Sequence, residues 1–538
     1  MEQQDLNKRL LLALALSFFV FIGYSYFFPA QAQKVSTTTL NTTTTTETTS
    51  PQSPTLTKNE APTSAESKIA SQAPVQSASK LLATIRSEHF VITIDEFGRI
   101  NQMELLEAKY HNEEGNNLKI FASNAVKPLE LRFSDVKINE EAFKTAYVNT
   151  GSKDIRLNGT SKTITLTQTL DALVVTKKIT FEPTGQYHVQ ISTSIDTPYF
   201  VTTGHRPVAD KSMYMLVRGV LVKSGDNIIT TIEDGDAEGF EKFNNAKIAS
   251  SFDRYVASLF FDFDKGLNVS VLKQANGDPL LFVQGSQDFS LNGYMGAKSA
   301  QTLKAINPEL QDAIEFGWFS FLSKPFFKVL LWLNSIVGNW GWSIILFTLL
   351  VKFVLFPLSY KGMMSMQKLK DLAPKMKEIK EKHKGDPAKM NAQMMEMYKK
   401  HGANPMGGCL PLILQIPVFF ALYRVLLNAV ELQGAEWILW IEDLAVMDPY
   451  FVLPILMGAS MWFQQRITPS NFTDPLQEKI FKWFPVIMTI FFVYFPSGLV
   501  LYWLINNLFT IGQQYFINHM YAKQKEMAVE AHTHKKAK

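Results

Sequence analysis

Long apolar runs and short alternating ones divide the chain into two kinds of territory. A basic flank at Lys8 and Arg9 precedes an apolar stretch from Leu10 to Phe28. Residues 1–33 read as a signal anchor that forms the first transmembrane helix, because the stretch exceeds the core of an ordinary cleaved signal. A signal peptide is the alternative, since Ala30-Gln31-Ala32 resembles a small-residue cleavage site. Residues 34–80 are rich in Thr, Ser and Pro, with almost nothing large to bury, which is the pattern of a flexible linker. Beyond it the period becomes two, as in His89-Phe90-Val91-Ile92-Thr93-Ile94, Thr163-Ile164-Thr165-Leu166-Thr167 and His188-Val189-Gln190-Ile191-Ser192. Alternation places apolar side chains on one sheet face. Turn signals at Glu96-Phe97-Gly98, Pro183-Thr184-Gly185 and Asn276-Gly277-Asp278 separate the strands. Residues 81–310 are therefore expected to form a large all-β sandwich outside the membrane.

Over residues 311–335, Ser320, Lys324 and Lys328 recur every fourth position among Trp318, Phe319, Leu322, Phe326, Leu330 and Trp332. The pattern predicts an amphipathic helix lying in the headgroup plane. A core helix of the β domain is the other reading, and Pro325 speaks against one straight helix. Five apolar segments follow, at about Ile336–Leu358, Cys409–Val430, Tyr450–Gln464, Ile480–Phe495 and Leu499–Ile517. With the first they predict a polytopic α-helical membrane protein of six transmembrane helices: the second over residues 336–360, helices three to six over 403–518. The fourth and fifth span only about 24 Å, against a hydrocarbon core of about 30 Å, so they should thin the bilayer around them.

Charge sets the orientation. The stretch Lys361–Lys400 carries about eleven lysines, whereas Glu431–Asp448 has several acids and no Lys or Arg. The positive-inside rule puts the first in the cytoplasm and the second outside. Lys8 and Arg9, then Arg466, Lys479 and Lys482, and the basic tail over residues 519–538 fall on the cytoplasmic side as well, as do both termini. Residues 361–402 read as a helical hairpin: Met366, Leu369, Ala373, Met376 and Ile379 on one arm, Met390, Met394 and Met397 on the other. Gly385-Asp386-Pro387 marks its turn, with Asp386 as cap and Pro387 at the first helical position, and His401-Gly402 its stop. The methionines form either a seam between the arms or a surface for varied apolar partners.

Composition narrows the chemistry. The 538 residues are 46% hydrophobic with a net charge of +4, and Cys409 is the one cysteine, so no intrachain disulfide or thiolate zinc cage is available. No phosphate-binding glycine loop, His-Glu-x-x-His or Gly-x-Ser-x-Gly pattern occurs, and no cofactor is expected. The sharpest residue is Lys352, which interrupts the run Ile344-Ile345-Leu346-Phe347-Thr348-Leu349-Leu350-Val351. A lysine there costs roughly 2.5–3.5 kcal/mol unless water or a partner relieves it. Snorkelling to headgroups about 9 Å away is one reading, a hydrated groove the other. Thr348, Gln415, Asn506, Asn507, Thr510, Gln513 and Gln514 also interrupt apolar segments, and such groups face a bundle interior or water. They serve a polar path or simply join helices by hydrogen bonds. Arg424 is expected to snorkel outward. A transporter and a membrane enzyme are the rival classes, and inverted repeats or catalytic motifs would be their marks.

Four segments carry a resemblance: Gly338-Asn339-Trp340-Gly341-Trp342-Ser343; Asn404-Pro405-Met406-Gly407-Gly408-Cys409-Leu410-Pro411; Gln415-Ile416-Pro417-Val418-Phe419-Phe420-Ala421-Leu422-Tyr423; and Phe495-Pro496-Ser497-Gly498-Leu499-Val500-Leu501-Tyr502-Trp503. They are similar to signature segments of the YidC/Oxa family of membrane protein insertases, over about Gly338–Gln514. The resemblance implies a five-helix core around a positively charged groove, open to cytoplasm and lipid. By position Lys352 corresponds to the groove charge, typically arginine in the family; Thr348 and Trp503 match the client path, and Gln415 a polar groove residue. Tyr502 and Asn506 join them as candidate groove residues. The long β domain after a first anchor resembles the Gram-negative branch, where it is a periplasmic supersandwich. The resemblance further implies a bacterial inner membrane protein and insertion of nascent membrane proteins, alone or with the Sec translocon. The ribosome, the signal-recognition machinery and membrane lipids are the other expected partners.

Overall fold

The computed structural model describes residues 80–111, 115–208, 217–317, 319–383, 385–402, 410–468 and 475–536. The expected anchor, the linker up to residue 79 and the loop 403–409 lie outside the described residues. The chain forms two compact units that divide between Glu315 and Phe316.

The first unit is rich in sheet. Five strands run in the order Leu118–Lys119, Ile100–Leu105, Phe90–Asp95, Leu81–Arg86 and Asp154–Arg156, and thirteen others form a second sheet. The alternating runs are strands, at Phe90–Asp95, Lys162–Thr169 and Gln186–Thr193. Lys162–Thr169 and Val174–Phe181 alternate buried and open positions, whereas all six residues of Val256–Phe261 are buried. Strands covered on both faces require layers on either side, which is the packing of a sandwich. Gly98, Gly185 and Gly277 all turn the chain at positive φ, as their positions in the turn signals predict.

Two short helices, α1 (Val136–Ala142) and α2 (Ala300–Ile306), interrupt the sheet pattern, so the unit is not all β. Asp135 and Ser299 cap them, each accepting from backbone N–H groups of the first turn. A 3₁₀ turn at Pro308–Ala313 then carries Leu310 and Ala313 into the core, so residues 311–313 belong here and not to the expected interfacial helix.

The second unit is helical: α3 Ser320–Val337, α4 Trp340–Lys382, α5 Pro387–His401, α6 Leu410–Asn428, α7 Val452–Ile467, α8 Pro475–Phe492 and α9 Ser497–Lys536. Gly338 closes α3 in the left-handed conformation and Asn339 caps α4, so the break falls two residues beyond the expected start at Ile336. Helix α4 then runs 43 residues without interruption. The expected boundary at 360/361 is a change of polarity and not of conformation, because backbone hydrogen bonding continues through it. Helix α5 packs back on the latter half of α4 through Leu369, Leu372, Met397 and Tyr398, with Met366, Met376, Ile379 and Met394 against them. This is the seam arrangement of the methionines. Asp386 caps α5 and Pro387 stands at its start, as the turn signal implies.

Helix α3 buries Ser323, Phe327, Leu330 and Leu333, and Ser323 Oγ donates to the Ala421 carbonyl at 3.1 Å. Phe326 meets Phe347 of α4 edge-on. Trp332 of the expected apolar set is exposed, as is Phe321 on the same helix. Helix α9 continues through the expected tail to Lys536, held to α4 where Asp371 accepts from the Tyr521 hydroxyl at 2.9 Å and from Lys525 Nζ at 3.1 Å. Among the described residues α4 alone is long and apolar enough to cross a membrane by length and composition; Gln415–Asn428 is a shorter apolar helix.

Candidate functional site

Helix α9 gathers the polar groups. Tyr502, Asn506 and Thr510 follow one another at intervals of four, and Gln513 and Gln514 extend the same face, a ridge roughly 18 Å long. Residues at that spacing stack above one another on a helix, so the sequence interval becomes a continuous polar surface.

Two neighbouring helices reach this ridge. From α4, Lys352 Nζ donates to Thr510 Oγ1 at 2.9 Å, and Thr510 Oγ1 donates to the Asn506 carbonyl at 2.7 Å. Lys352 is only 8% exposed, and among the described residues it forms no ion pair. From α6, Gln415 Nε2 donates to the Tyr502 hydroxyl at 2.5 Å. Lys352, Gln415, Tyr502 and Asn506, four of the six expected site residues, thus converge on one helix face. Thr348 does not join them by hydrogen bonding: its hydroxyl is buried and donates to the Ile344 carbonyl of its own helix at 2.7 Å. Trp503 sits one residue off the ridge, with its ring 4.8 Å from Phe419 of α6 and 5.3 Å from Phe492 of α8.

Several buried polar atoms here have no partner. Among the described residues they include Asn506 Oδ1, both amide atoms of Gln513 and Trp503 Nε1. A buried polar group without a hydrogen bond costs about 1–3 kcal/mol, and such groups are normally satisfied by protein or ordered water. A cation without a counter-ion beside unpaired amides is therefore suited to water or to a polar segment that supplies both donors and acceptors.

Sequence reasoning missed Thr510 as the partner of Lys352 and Gln513 as an unpaired amide. The signal was present in the four-residue interval from Tyr502, but it becomes decisive only once α4 is known to face α9. Arg424, expected to snorkel outward, is half-buried, and its side chain lies over Gly317, where a Cβ would stand 3.1 Å from Nε. Gly317 has φ +67°, so both the turn and the contact favour a residue without a side chain.

Among the described residues no His, Cys, Asp and Glu cluster could hold a metal ion. The sheet unit has a cavity of about 720 Å³ lined in part by Phe90, Glu107, Lys109, Tyr110 and Tyr294. Within its lining Lys109 pairs with Glu107 at 2.8 Å and the Tyr294 hydroxyl donates to the Ala297 carbonyl at 2.5 Å.

Comparison with known proteins adds sequence relationships to this geometry. Residues 332–525 match the family described as 60Kd inner membrane protein, and residues 264–329 match the YidC periplasmic domain. The chain is 50% identical over 454 residues to the membrane protein insertase YidC of Campylobacter jejuni, covering 84% of this chain and 86% of the relative. It is 51% identical over 451 residues to the same protein of Wolinella succinogenes, covering 83% and 84%. The Helicobacter pylori counterpart is 47% identical over 474 residues, covering 83% and 86%.

Proposed function

This chain belongs to the YidC family of inner membrane proteins, and on that premise we propose that it inserts other membrane proteins by receiving their polar segments at the α4–α9 ridge. The observation that carries the reading is the buried Lys352 ammonium, which has no ion pair among the described residues, beside the unpaired Asn506 Oδ1 and Gln513 amide. A client's polar, often acidic tail enters beside Lys352 and Thr510, exchanging its hydration for these donors and acceptors. Gln415, Tyr502 and Asn506 continue the polar path, and Thr348 and Trp503 border it. The client's hydrophobic segment passes the Trp503, Phe419 and Phe492 rings and enters lipid beside α6 and α8.

No nucleotide is required. Twenty apolar residues at about −0.3 to −0.6 kcal/mol each release on the order of 10 kcal/mol on entering the bilayer. The membrane potential assists an acidic tail leaving the cytoplasm. Helix α7 has 16 residues and α8 has 18, or roughly 24 and 27 Å, so the bilayer beside them is thinned and the polar tail has less hydrocarbon to cross.

In this reading the chain crosses the inner membrane six times with both termini cytoplasmic, the first crossing being Leu10–Phe28. The sheet unit is periplasmic, α3 lies in the headgroup plane, and the α4–α5 hairpin meets the Sec translocon, the ribosome or the signal-recognition machinery in the cytoplasm. The lysines of residues 361–400 and the acids of residues 431–448 support that orientation.

The test is reconstitution of purified chain into liposomes with a single-span client bearing an acidic tail. Wild-type protein should bring the tail to the far side, and Lys352→Met should lower the yield about tenfold or more, the size of one charge-assisted hydrogen bond. Insertion unaffected by Lys352→Met would remove the lysine from the path. Photo-crosslinkers at Thr348 and Trp503 should capture ribosome-bound nascent clients, and capture at neither position would overturn the route.

A further inference from the structure

The loop between α6 and α7, residues 429–451, is fastened to the amino termini of α4 and α9. Asn339 Nδ2 donates to the Glu436 carbonyl at 3.1 Å and to the Trp437 carbonyl at 3.3 Å. Ser497 N–H donates to the Val446 carbonyl at 2.7 Å and Gly498 N–H to the Leu444 carbonyl at 3.0 Å. Trp437 packs on Gly341, where any Cβ would collide with its ring, and meets Trp342 edge-on with centroids 6.0 Å apart. Inside the loop, the buried Asp448 accepts from Trp440 Nε1 at 3.0 Å, from Tyr450 N–H at 3.0 Å and from Leu453 N–H at 2.7 Å.

A segment this firmly held does not expose apolar groups through looseness. Even so, Leu439 is 82% exposed, and Ile438, Val446, Met447, Tyr450 and Phe451 are exposed around it. Leu439 and Phe451 also stand at φ +55° and +58°, in the left-handed region that disfavours bulky side chains. Strained backbone turns apolar side chains outward on a rigid support, an arrangement that makes physical sense where the surroundings are themselves apolar.

We propose that this loop is set into the lipid interface at the amino-terminal ends of α4 and α9, with Leu439 as its deepest point. The occupant is lipid because the patch is continuous, through the Trp342–Trp437 contact, with the apolar length of α4 that suits a bilayer. Tryptophan and tyrosine concentrate at that depth, where ring and polar atom meet different solvents. The exposed Glu436 and Glu442 flank the apolar tip and limit its depth, holding the loop at the headgroups while Leu439 reaches the first acyl carbons. A loop so anchored fixes the ends of α4, α7 and α9 at one depth.

The inference rests on the membrane reading of the helices, and its test separates the two. Cys409 is the one cysteine, so full-length Cys409→Ser chains carrying either Leu439→Cys or Ile455→Cys take a single nitroxide label. Ile455 is exposed on α7. In phosphatidylethanolamine/phosphatidylglycerol vesicles, both labels should collide with oxygen several-fold more than with a water-soluble nickel chelate. Nickel access at 439 with lipid access at 455 overturns the loop proposal alone. Exclusion of both reagents at 439 means that protein covers it, and overturns the proposal too. Nickel access at 455 overturns the membrane reading of α7, and the loop proposal with it. A second variant needs no label: asparagine accepts the left-handed backbone, so Leu439→Asn would raise the melting temperature if the loop faced water. It should lower it in vesicles.

Discussion

Among the described residues a single hydroxyl holds the ammonium group at position 352, and the consequences are separable by substitution. Thr510→Val keeps the shape and β-branching of the side chain but removes the oxygen that accepts from Lys352 and donates to the Asn506 carbonyl. A buried ammonium then loses its partner, and the helical unit should lose about 1–3 kcal/mol of stability. Removing the ammonium as well, in Lys352→Met with Thr510→Val, should restore most of that, because replacing both partners by apolar groups is nearly neutral. Insertion by the double variant should nevertheless stay about tenfold or more below wild type. Thermal unfolding in detergent, followed by tryptophan emission, checks the first part, and liposome insertion the second. If the double variant inserts clients normally, the pair is only a helix fastening. Lys352→Arg should retain insertion, since guanidinium keeps the charge and adds donors.

Helices and strands were legible in the sequence to different degrees, for physical reasons. Period two at Thr163–Thr167 survives any packing partner because it records a half-buried sheet, and the structure extends it to Lys162–Thr169. Boundaries inferred from polarity fared less well: α4 and α9 run on past their apolar stretches, since lysines and glutamines are good helix formers in water. The polar residues of the site were visible as breaks in apolar runs. Their pairing was not, because Lys352 and Thr510 lie 158 residues apart and only tertiary packing joins them. Gly458 is a similar case. Nothing in its neighbourhood marks it, yet α7 passes so close to α8 that a methyl group there would collide with Thr489 Oγ1. Small residues let helix backbones approach in this way. Gly458→Ala should cost about 1–3 kcal/mol, and Thr489→Ala in the same chain should recover part of it. Equal stability of wild type and Gly458→Ala in a denaturant titration would mean the helices separate freely.

At the scale of the whole chain, the sheet unit carries a buried charge network that the alternating strand pattern does not betray. Asp95 pairs with Arg99 at 2.9 Å, Arg99 with Glu130 at 3.0 Å, and Glu130 with Arg132 at 2.9 Å, joining the five-stranded sheet to the thirteen-stranded one. Beside it Lys177, fully buried, donates to the Gly98 and Leu129 carbonyls at 3.0 and 2.8 Å and lies over the Tyr147 ring. Burial pushes its pKa down from 10.5 to about 7, Asp95 opposing the shift and Arg99 adding to it. Burial likewise lowers Lys298 to about 8, against the pull of Glu315 and Asp253. Between these values and 10.5 the unfolded chain holds protons that the folded chain has released, so stability rises with pH across that window. Below about pH 7 both states are protonated, and the folded unit bears the full cost of two buried ammonium groups. The slope should approach about 1.4 kcal/mol per pH unit for each lysine inside its window. All nine tryptophans lie at or beyond residue 318, so their emission reports the helical unit, and the β signal in circular dichroism reports the sheets. Denaturant titrations of the full chain in micelles at pH 7 and 9 should show the sheet transition strengthening with pH. Lys177→Met should flatten that dependence, and an unchanged slope would mean that the ammonium keeps its proton in the folded protein.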